Sequence, residues 1–266
     1  MKVWSVANQK GGVGKTTSVV SLGGLLASQD QRVLLLDMDP HGSLTSYFKY
    51  NPDEIEKSIF QLFQHKGEVP DGLARSLVIR TDFKNLDFMA ASTSLAILER
   101  HAVNQGGMGL VISKTLEHLK NDYDFVLIDT PPILGVLLIN AMAACQKLIM
   151  PVQTEHLAIK GLERMMRTLQ MVIRSQKRDF EYTVVPTMFD RRTHASVDSL
   201  RILRNTYEDN IWPSAISVDT KLRDASKAGM PPHIYDGTTR GVKSYRSLLK
   251  YLLSKEPSVV RGNVVT

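Results

Sequence analysis

The stretch MKVWSVANQKGGVGKTT, residues 1–17, decides the fold of this chain. Its apolar run from Val3 to Ala7 predicts a strand buried in a parallel sheet. The glycine-rich loop 10–17 follows, and apolar residues between Thr17 and Ala27 recur at helical spacing. A strand, a glycine loop ending in Lys-Thr and a helix together form the sequence context of a phosphate-binding loop.

The residue types of this loop suit an anion. Its glycines allow the backbone to wrap closely around phosphate oxygens and to turn N–H groups inward. The helix that begins near Lys15 adds the positive end of its dipole. We expect the Lys15 ammonium to contact the terminal phosphates and the Thr16 hydroxyl to ligate Mg²⁺. An ordinary glycine turn is the alternative, and the complete Gly-Lys-Thr-Thr ending after a strand makes it the weaker one.

Two positions depart from the common phosphate loop. Gln9 stands where the usual motif begins with glycine, and a second lysine, Lys10, follows it. This arrangement resembles the deviant Walker A motif, K-G-G-x-G-K-[ST], of the ParA/MinD superfamily. In that family the extra lysine crosses a dimer interface and touches the nucleotide of the other subunit, so the resemblance implies this role for Lys10; a solvated loop cation is the alternative. The implied ATP-binding residues of the loop are Lys10, Gly11, Gly12, Val13, Gly14, Lys15, Thr16 and Thr17.

A second buried strand is predicted from Arg32 onward, and it delivers Asp37 and Asp39 at its C-terminal end. Open α/β sheets bind their ligands at that edge. The segment resembles the D-x-D-P-x-G switch I of the family. By that resemblance Asp39 positions the attacking water and Asp37 supports Mg²⁺ through its water shell; a helix cap and a turn are the structural alternatives.

A third acidic residue, Asp129, ends the apolar run 125–128. Such a strand is common alone, but Asp-Thr-Pro-Pro at 129–132 resembles the family's switch II and follows the first two motifs in the family order. The strand is Walker B-like, and we expect Asp129 to hold Mg²⁺ through water. The predicted catalytic residues are thus Lys10, Lys15 and Asp39, and the predicted metal residues are Thr16, Asp37 and Asp129.

Two later segments are predicted to contact the base. The loop after the predicted strand 182–186 resembles the family segment beside the adenine, which implies a base contact for Met188; core filling is the alternative. Segment 216–227 resembles I-P-x-N-x-x-L-x-E-A, but Ser217 replaces the proline and Asp219 the asparagine that contribute to the base pocket. Met188, Ser217 and Asp219 complete the predicted cofactor-binding residues.

The chain has a net charge of +6, which is compatible with a solvated basic face or with nonspecific DNA binding. Lys221 stands where relatives carry a basic residue used on DNA. With Arg201, Arg204 and Arg223 it could form a patch that follows the phosphate backbone; scattered solvated charges are the alternative.

Length and composition fit one large α/β domain or two small ones. The 266 residues are 43% hydrophobic and 23% charged, and no stretch approaches the roughly 20 apolar residues that span a bilayer. The N-terminus runs directly into a strand, which predicts no signal peptide, and a single cysteine, Cys145, fits a reducing cytosol. The resemblance to the ParA/MinD superfamily extends from Lys2 to about Lys255, which implies a single ParA-like ATPase domain over 1–256, built on a twisted, mostly parallel sheet flanked by helices, and a short tail over 257–266.

Further elements follow from periodicity. A helix is predicted over 55–64, inside a polar insertion at 47–84. A strand is predicted over 85–91, and helices are predicted over 110–119, 153–175, 196–209 and 241–254.

The resemblance implies a cytoplasmic ATP-dependent homodimer that positions a cargo, with a cargo adaptor or ATPase-stimulating protein as partner and nonspecific DNA or a polar anchor protein as its track. Segments 39–43 and 155–164 look most like the ParC-type branch, which is associated with polar placement of chemotaxis arrays. A partition ATPase acting with a ParB-like protein is the main alternative.

Three other classes compete. A MinD-like membrane regulator needs a basic amphipathic C-terminal helix, whereas 245–253 predicts a docked helix and no stable membrane insertion. A metallocluster protein on this fold needs paired cysteines, whereas this chain has only Cys145. A metabolic synthetase, such as dethiobiotin synthetase, shares the deviant loop and would transfer phosphate to a small molecule.

Overall fold

The computed structural model describes residues 1–101, 108–176 and 181–255. Within them, seven strands form one sheet. Its strands are β1 (Lys2–Val6), β2 (Val33–Asp37), β3 (Ile79–Arg80), β4 (Leu86–Met89), β5 (Phe125–Asp129), β6 (Lys147–Gln153) and β7 (Glu181–Thr187). They lie in the order β3-β4-β2-β5-β1-β6-β7, and only the β3–β4 pair is antiparallel. The expected α/β fold class is confirmed.

Helices cover both faces of this sheet, which explains why the central strands are apolar throughout rather than alternating. The helices are α1 (Lys15–Ala27), α2 (Ser43–Tyr47), α3 (Leu73–Ser76), α4 (Leu95–His101), α5 (Val111–Leu119), α6 (Val136–Ala144), α7 (His156–Gln176), α8 (His194–Tyr207), α9 (Lys221–Ala228), α10 (Pro232–Tyr235) and α11 (Arg240–Ser254). The core on one face contains α1, α2 and α11, and the core on the other contains α5, α6 and α7.

Register brings the ends of the central strands together. In the β2–β5 pair Asp37 lies opposite Asp129, and in the β1–β5 pair Val6 lies opposite Asp129. The loop after β1 therefore starts beside both aspartates. This edge is the carboxyl edge of the parallel sheet, where α/β folds bind ligands.

A buried lysine fastens the last helix to the sheet. Lys147 begins β6 with 1% of its surface exposed. Its ammonium donates to the Leu252 carbonyl at 3.0 Å, pairs with Glu181 at 3.0 Å and lies 5.6 Å from the centre of the Trp4 ring. The end of α11 is thus held by a buried cation, and its apolar face, including Tyr245 and Leu248, is buried in the core.

Several elements differ from the sequence-based expectations. The helix predicted over 55–64 is a 3₁₀ helix, Ile59–His65, because Ser58 and Gln61 form a capping box that sets its start. The supposed insertion 47–84 contributes β3 to the edge of the sheet. Helix α6 was not predicted, since its sequence is apolar all round and carries no helical period. The predicted tail 257–266 lies outside the described residues.

Among the described residues, no helix combines the length and the apolar character that crossing a bilayer requires.

Replacing Lys147 with alanine tests the anchoring of α11. The change removes a charge-assisted hydrogen bond to Leu252 and the packing of a buried side chain, so the free energy of unfolding should fall by about 2–4 kcal/mol. Urea unfolding measures it. Lys160→Ala, which breaks an exposed pair with Glu163, should cost less than about 0.5 kcal/mol. Equal losses in the two variants would contradict the anchoring role.

Candidate functional site

The loop between β1 and α1 forms an open cradle. Gly12 and Gly14 have φ values of +73° and +92°, a conformation that favours glycine. A methyl group built on Gly11, Gly12 or Gly14 would meet no atom within 4 Å, so the space beside these residues is empty of protein. This cradle lies at the N-terminus of α1, where backbone N–H groups lack helical partners.

Side chains from neighbouring strands hold the loop in shape. The Asn8 carboxamide accepts from the Lys10 N–H at 3.0 Å and donates to the Pro151 carbonyl at 2.8 Å. The Thr187 hydroxyl donates to the Val13 carbonyl at 2.9 Å. Val13 is fully buried, so it supports the loop from the inside.

Lys15 lies at the base of the cradle and is mostly buried. Its ammonium is 3.4 Å from the Lys10 carbonyl. Burial lowers the pKa of Lys15, and the nearby Asp129 and Asp39 carboxylates oppose that shift. A desolvated cation of this kind gains most from an anion brought to it, as a phosphate group would be.

Two carboxyl groups are buried side by side under the cradle. Asp37 accepts from the Thr45 N–H and hydroxyl, both at 2.8 Å, and from the Asp39 N–H at 3.1 Å. Asp129 accepts from the Thr16 hydroxyl at 2.6 Å, whereas its other oxygen, Oδ1, has no hydrogen-bond partner. Burial, first of all, raises the pKa of both carboxyl groups. The Asp39 carboxylate adds to both shifts, and Asp37 adds to the rise in the pKa of Asp129.

These oxygens fit a magnesium site that is completed by other ligands. Buried carboxylates and a hydroxyl are ligands that Mg²⁺ prefers, and the unpartnered Asp129 Oδ1 is a buried acceptor that a cation or its water would satisfy. Within the described part of the chain, no cluster of three or more His, Cys, Asp or Glu side chains could hold a metal. A Mg²⁺ ion here would depend on water and phosphate oxygens, as it commonly does.

Asp39 has a neighbour that the sequence analysis did not single out. The Asp39 side chain is 12% exposed, and its Oδ1 accepts from the His41 N–H at 3.0 Å and lies 2.9 Å from His41 Nδ1. His41 itself is 75% exposed on its side chain. The imidazole therefore covers one oxygen of Asp39 from the solvent side.

A cleft of about 720 Å³ lies beside the glycine loop. The loop, Asp39 and His41 form one side of it, and Met188, with φ +53° and 38% of its surface exposed, lies at its edge. Lining residues that were not predicted are Ser43, Ser46, Tyr47, Pro132 and Ser226. The spacing of Ser43, Ser46 and Tyr47 on one face of a helix directly after switch I was the available signal for three of them.

Ser217 and Asp219 are not among the residues that line this cleft. The Ser217 backbone pairs with Phe189 in an isolated bridge. The Asp219 carboxylate accepts from the N–H groups of Lys221 at 2.9 Å and Gly241 at 2.7 Å, near the starts of α9 and α11. The structure thus gives Asp219 a capping position, and a base contact for either residue stays a prediction.

Lys10 lines a different surface from the other loop residues. It forms an ion pair with Glu155 and borders a second cavity of about 1020 Å³, together with the segment after Asp129 and one side of α7. Exposed apolar side chains surround this cavity: Ile133, Leu134, Leu157 and Met171. The same lining carries further basic side chains, Lys160, Arg164 and Arg167. Exposed apolar residues grouped with arginine are typical of a protein interface.

The four predicted DNA residues are all exposed but lie on two helices. Arg201 and Arg204 belong to α8, which packs against α7 and β7, whereas Lys221 and Arg223 belong to α9, which packs against α10 and α11. Arg201 pairs with Asp198 at 2.9 Å and Lys221 with Asp224 at 3.4 Å. A single continuous patch stays a prediction.

Comparison with known proteins gives a consistent result. The family model described as AAA domain matches residues 1–182. The chain is 33% identical over 250 residues to the sporulation initiation inhibitor protein Soj of Bacillus subtilis, covering 94% of this chain and 97% of that protein. It is 31% identical to the chromosome partitioning protein ParA of Caulobacter vibrioides, over 96% of this chain and 95% of that protein.

A solved structure shows the same likeness. The cobyrinic acid a,c-diamide synthase from Mycobacterium smegmatis, with a bound ATP analog and magnesium, matches with a TM-score of 0.80 at 32% identity, over 95% of this chain and 94% of that chain. The similarity therefore extends over nearly the whole chain rather than over the phosphate loop alone.

Lys15→Ala tests the cradle. Removing the buried ammonium should weaken binding of MgATP by between about 10-fold and about 100-fold, since a hydrogen bond to a charged group contributes roughly 1.5–3 kcal/mol. Isothermal titration calorimetry measures the affinity. The control is Lys114→Ala, which removes an exposed cation paired with Glu68 and should bind normally. Normal affinity in Lys15→Ala would rule out the cradle as the phosphate site.

Asp129→Asn tests the metal site. The variant keeps the shape of the side chain but loses the negative charge, so the enhancement of ATP binding by Mg²⁺ should fall by about 10-fold or more. Binding without Mg²⁺ should not weaken, because the change removes a carboxylate from the neighbourhood of the phosphates. Titrations with and without Mg²⁺ check both points, with the exposed Asp198→Asn as control. An unchanged Mg²⁺ enhancement would remove Asp129 from the site.

Proposed function

We propose that this chain, which belongs to the ParA/MinD family of ATPases, is an ATP-dependent dimerising switch that positions a cellular cargo. The observation that carries the proposal is the division of the loop between two surfaces. The glycines, Lys15 and Thr16 face the cleft that Asp39 also lines, whereas Lys10 borders a surface with exposed apolar side chains.

ATP and Mg²⁺ are the cofactors of this cleft. The loop N–H groups and the Lys15 ammonium are proposed to bind the phosphates, and Met188, which lines the same cleft, is proposed to contact the base. Bound Mg²⁺ supplies neutralisation of phosphate charge. The Thr16 hydroxyl and the Asp129 carboxylate are already joined at 2.6 Å, so these ligands are oriented in advance.

Asp39 is the residue proposed to position the attacking water. It lies at the cleft wall with one oxygen engaged by His41, which leaves its other oxygen as an acceptor for a water proton. Because this arrangement is partly open to solvent, intrinsic hydrolysis should be slow, and a stimulating partner would complete the site.

The surface around Lys10 is proposed to meet a second copy of the chain. Association would bury the exposed Ile133, Leu134 and Leu157, and it would place Lys10 beside the nucleotide of the other subunit. Loss of the γ-phosphate would then release the segments around Asp39 and Asp129 and separate the subunits.

The identity of the cargo is proposed from the named relatives and from two sequence segments. Soj and ParA are named for sporulation control and chromosome partitioning, which supports a positioning role for their relative. The ParC-type pattern at 39–43 and 155–164 favours polar placement of chemotaxis arrays by a cytoplasmic protein, with a cargo adaptor, and DNA or a polar anchor as track. Partition with a ParB-like protein is the alternative, and the genes adjacent to this one distinguish the two.

The other classes have less support. The apolar face of α11 is buried in the core, which disfavours a MinD-like membrane helix; liposome flotation with ATP checks this. A small-molecule synthetase is favoured only by the name of the matching synthase structure. Incubation with candidate acceptors and ATP would reveal a phosphorylated or amidated product if that function were correct.

Binding to nonspecific duplex DNA across a salt series tests the proposed track. With ATP, binding should occur and weaken steeply as salt rises, because Lys and Arg contacts release counterions. ADP and no nucleotide should give weaker binding. Two results would exclude DNA as the track that the switch controls: DNA binding of equal strength with ATP, with ADP and without nucleotide, or no DNA binding in any of these states while ATP-dependent dimerisation is intact. A protein anchor would then remain as the track.

Lys10→Ala should bind ATP but remain a monomer. The variant loses the cation proposed to bridge the subunits and keeps Lys15 and the cradle. Light scattering after gel filtration measures the mass with ATP, and Lys66→Ala, in a distant exposed turn, is the control. An ATP-dependent dimer of Lys10→Ala with normal affinity would refute the crossing role.

Asp39→Ala should bind ATP and accumulate as a dimer with turnover reduced by about 100-fold or more, the range for a lost general base. Phosphate release and gel filtration together measure this. Asp53→Ala, which removes a carboxylate after α2, is the control. Unchanged turnover would remove Asp39 from the catalytic residues.

A further inference from the structure

A third, smaller pocket lies next to the nucleotide cleft, at the β3 edge of the sheet. It has a volume of about 440 Å³. Its aromatic lining consists of Phe48, Tyr50, Phe83 and Phe88. The Phe48 and Phe88 rings stack at 4.9 Å, and Tyr50 lies tilted at 5.4 Å from Phe88 with 41% of its surface exposed. A buried aromatic floor with an exposed tyrosine at its mouth is a surface suited to an inserted apolar side chain.

The rim of this pocket is basic and unpaired. Lys49 and Arg80 lie on it, with Asp82 as the acidic lining residue. Among the residues that the structure describes, neither Lys49 nor Arg80 lies within ion-pair distance of a carboxylate. The Lys49 ammonium donates instead to the Lys227 carbonyl. Other exposed cations of the chain do form ion pairs: Arg32 with Asp124, Arg75 with Asp122, and Lys84 with Asp30.

The pocket shares its walls with the nucleotide cleft. Tyr47 lines the cleft and Phe48 lines the pocket, while on the other side Ser226 lines the cleft and Met230 the pocket. The Tyr47 hydroxyl donates to the Met230 carbonyl at 2.8 Å, which joins the two walls. Gly229, at φ +75°, leaves room for the Lys49 side chain, since a methyl group there would lie 2.9 Å from Lys49 Cε.

Backbone bonds continue from the pocket to the buried carboxylates. The Tyr50 N–H donates to the Thr45 carbonyl at 3.2 Å. Thr45 in turn donates twice to Asp37. Thr45 is thus the single residue that links Tyr50 to the buried carboxylate of Asp37 through hydrogen bonds.

We propose that this aromatic pocket is a docking site for an acidic segment of a partner protein, which inserts one aromatic or leucine side chain beside Tyr50 and sets its carboxylates against Lys49 and Arg80. Charge complementarity selects this occupant, because two unpaired cations flank an apolar pocket. Binding itself does not depend on the proposed function; only the identity of the segment as part of a cargo adaptor or ATPase-stimulating protein rests on it.

The methionine methyl groups offer a direct test. The chain has 11 methionines, of which Met230 lines this pocket and Met188 the nucleotide cleft. The full chain is labelled with ¹³C at the methionine methyl groups, and the two signals are assigned with Met230→Leu and Met188→Leu. The probe is a pentapeptide of tryptophan flanked on each side by two glutamates, and the comparison peptide carries lysines in place of the glutamates.

The glutamate peptide should shift the Met230 signal saturably, and the lysine peptide should bind about 10-fold more weakly or not at all. Tyr50→Ala and Arg80→Glu should each weaken binding of the glutamate peptide by about 10-fold, as expected of central contacts. Lys84→Glu, a charge reversal at an exposed position paired with Asp30, is the matched control and should bind normally.

Three results would overturn the proposal. They are an unshifted Met230 at millimolar peptide, equal binding of both peptides, and full binding by Tyr50→Ala. Tighter Tyr50-dependent binding of oligothymidine than of the peptide would assign the pocket to single-stranded nucleic acid instead. ATP titrated alone should shift Met188, so failure of the nucleotide site is observed separately from failure of the pocket.

Discussion

The structure depends on the burial of two carboxyl groups side by side. Strand pairing places Asp37 opposite Asp129 with essentially no exposure of either, and two like charges in such a place disfavour ionisation. Hydrogen bonds from Thr45 and Thr16 offset part of this cost. Protonation or a nearby positive charge offsets the rest, which makes this edge of the sheet suited to a cation.

That constraint explains why the loop between β1 and α1 has two lysines with different surroundings. Lys15 is buried near the carboxylates and lines the nucleotide cleft, whereas Lys10 pairs with Glu155, directly before α7, and lines the other cavity. Under the proposed function, one short loop would bind the nucleotide on one side and meet a second subunit on the other. A switch of this kind needs no large conformational change within the sheet, because the loop itself connects the two surfaces.

Much of this arrangement could be predicted from sequence because its signals are local. Apolar runs ending in aspartate place β2 and β5, and the glycine loop places α1, so the residues of the cradle were predictable without a structure. Contacts between distant segments gave no such signal. The Lys10–Glu155 pair joins residues 145 positions apart, and the hydrogen bond from the Gly241 N–H to Asp219 joins residues 22 positions apart. Strand β3 was missed for another reason, since a strand of two residues is too short to show a pattern. Helix α6 was missed because a uniformly apolar segment has no period to detect.

Mixing two inactive variants tests the division of the loop most directly. Lys10→Ala lacks the crossing lysine and Asp39→Ala lacks the water-positioning carboxylate, and each alone should hydrolyse ATP poorly. In a mixed dimer, one of the two sites is complete: the Lys10→Ala subunit supplies Lys15 and Asp39, and the Asp39→Ala subunit supplies Lys10. The account predicts that mixing restores phosphate release well above the sum of the separate variants. A mixture no more active than that sum, with mixed dimers present, would show that Lys10 does not act across the interface.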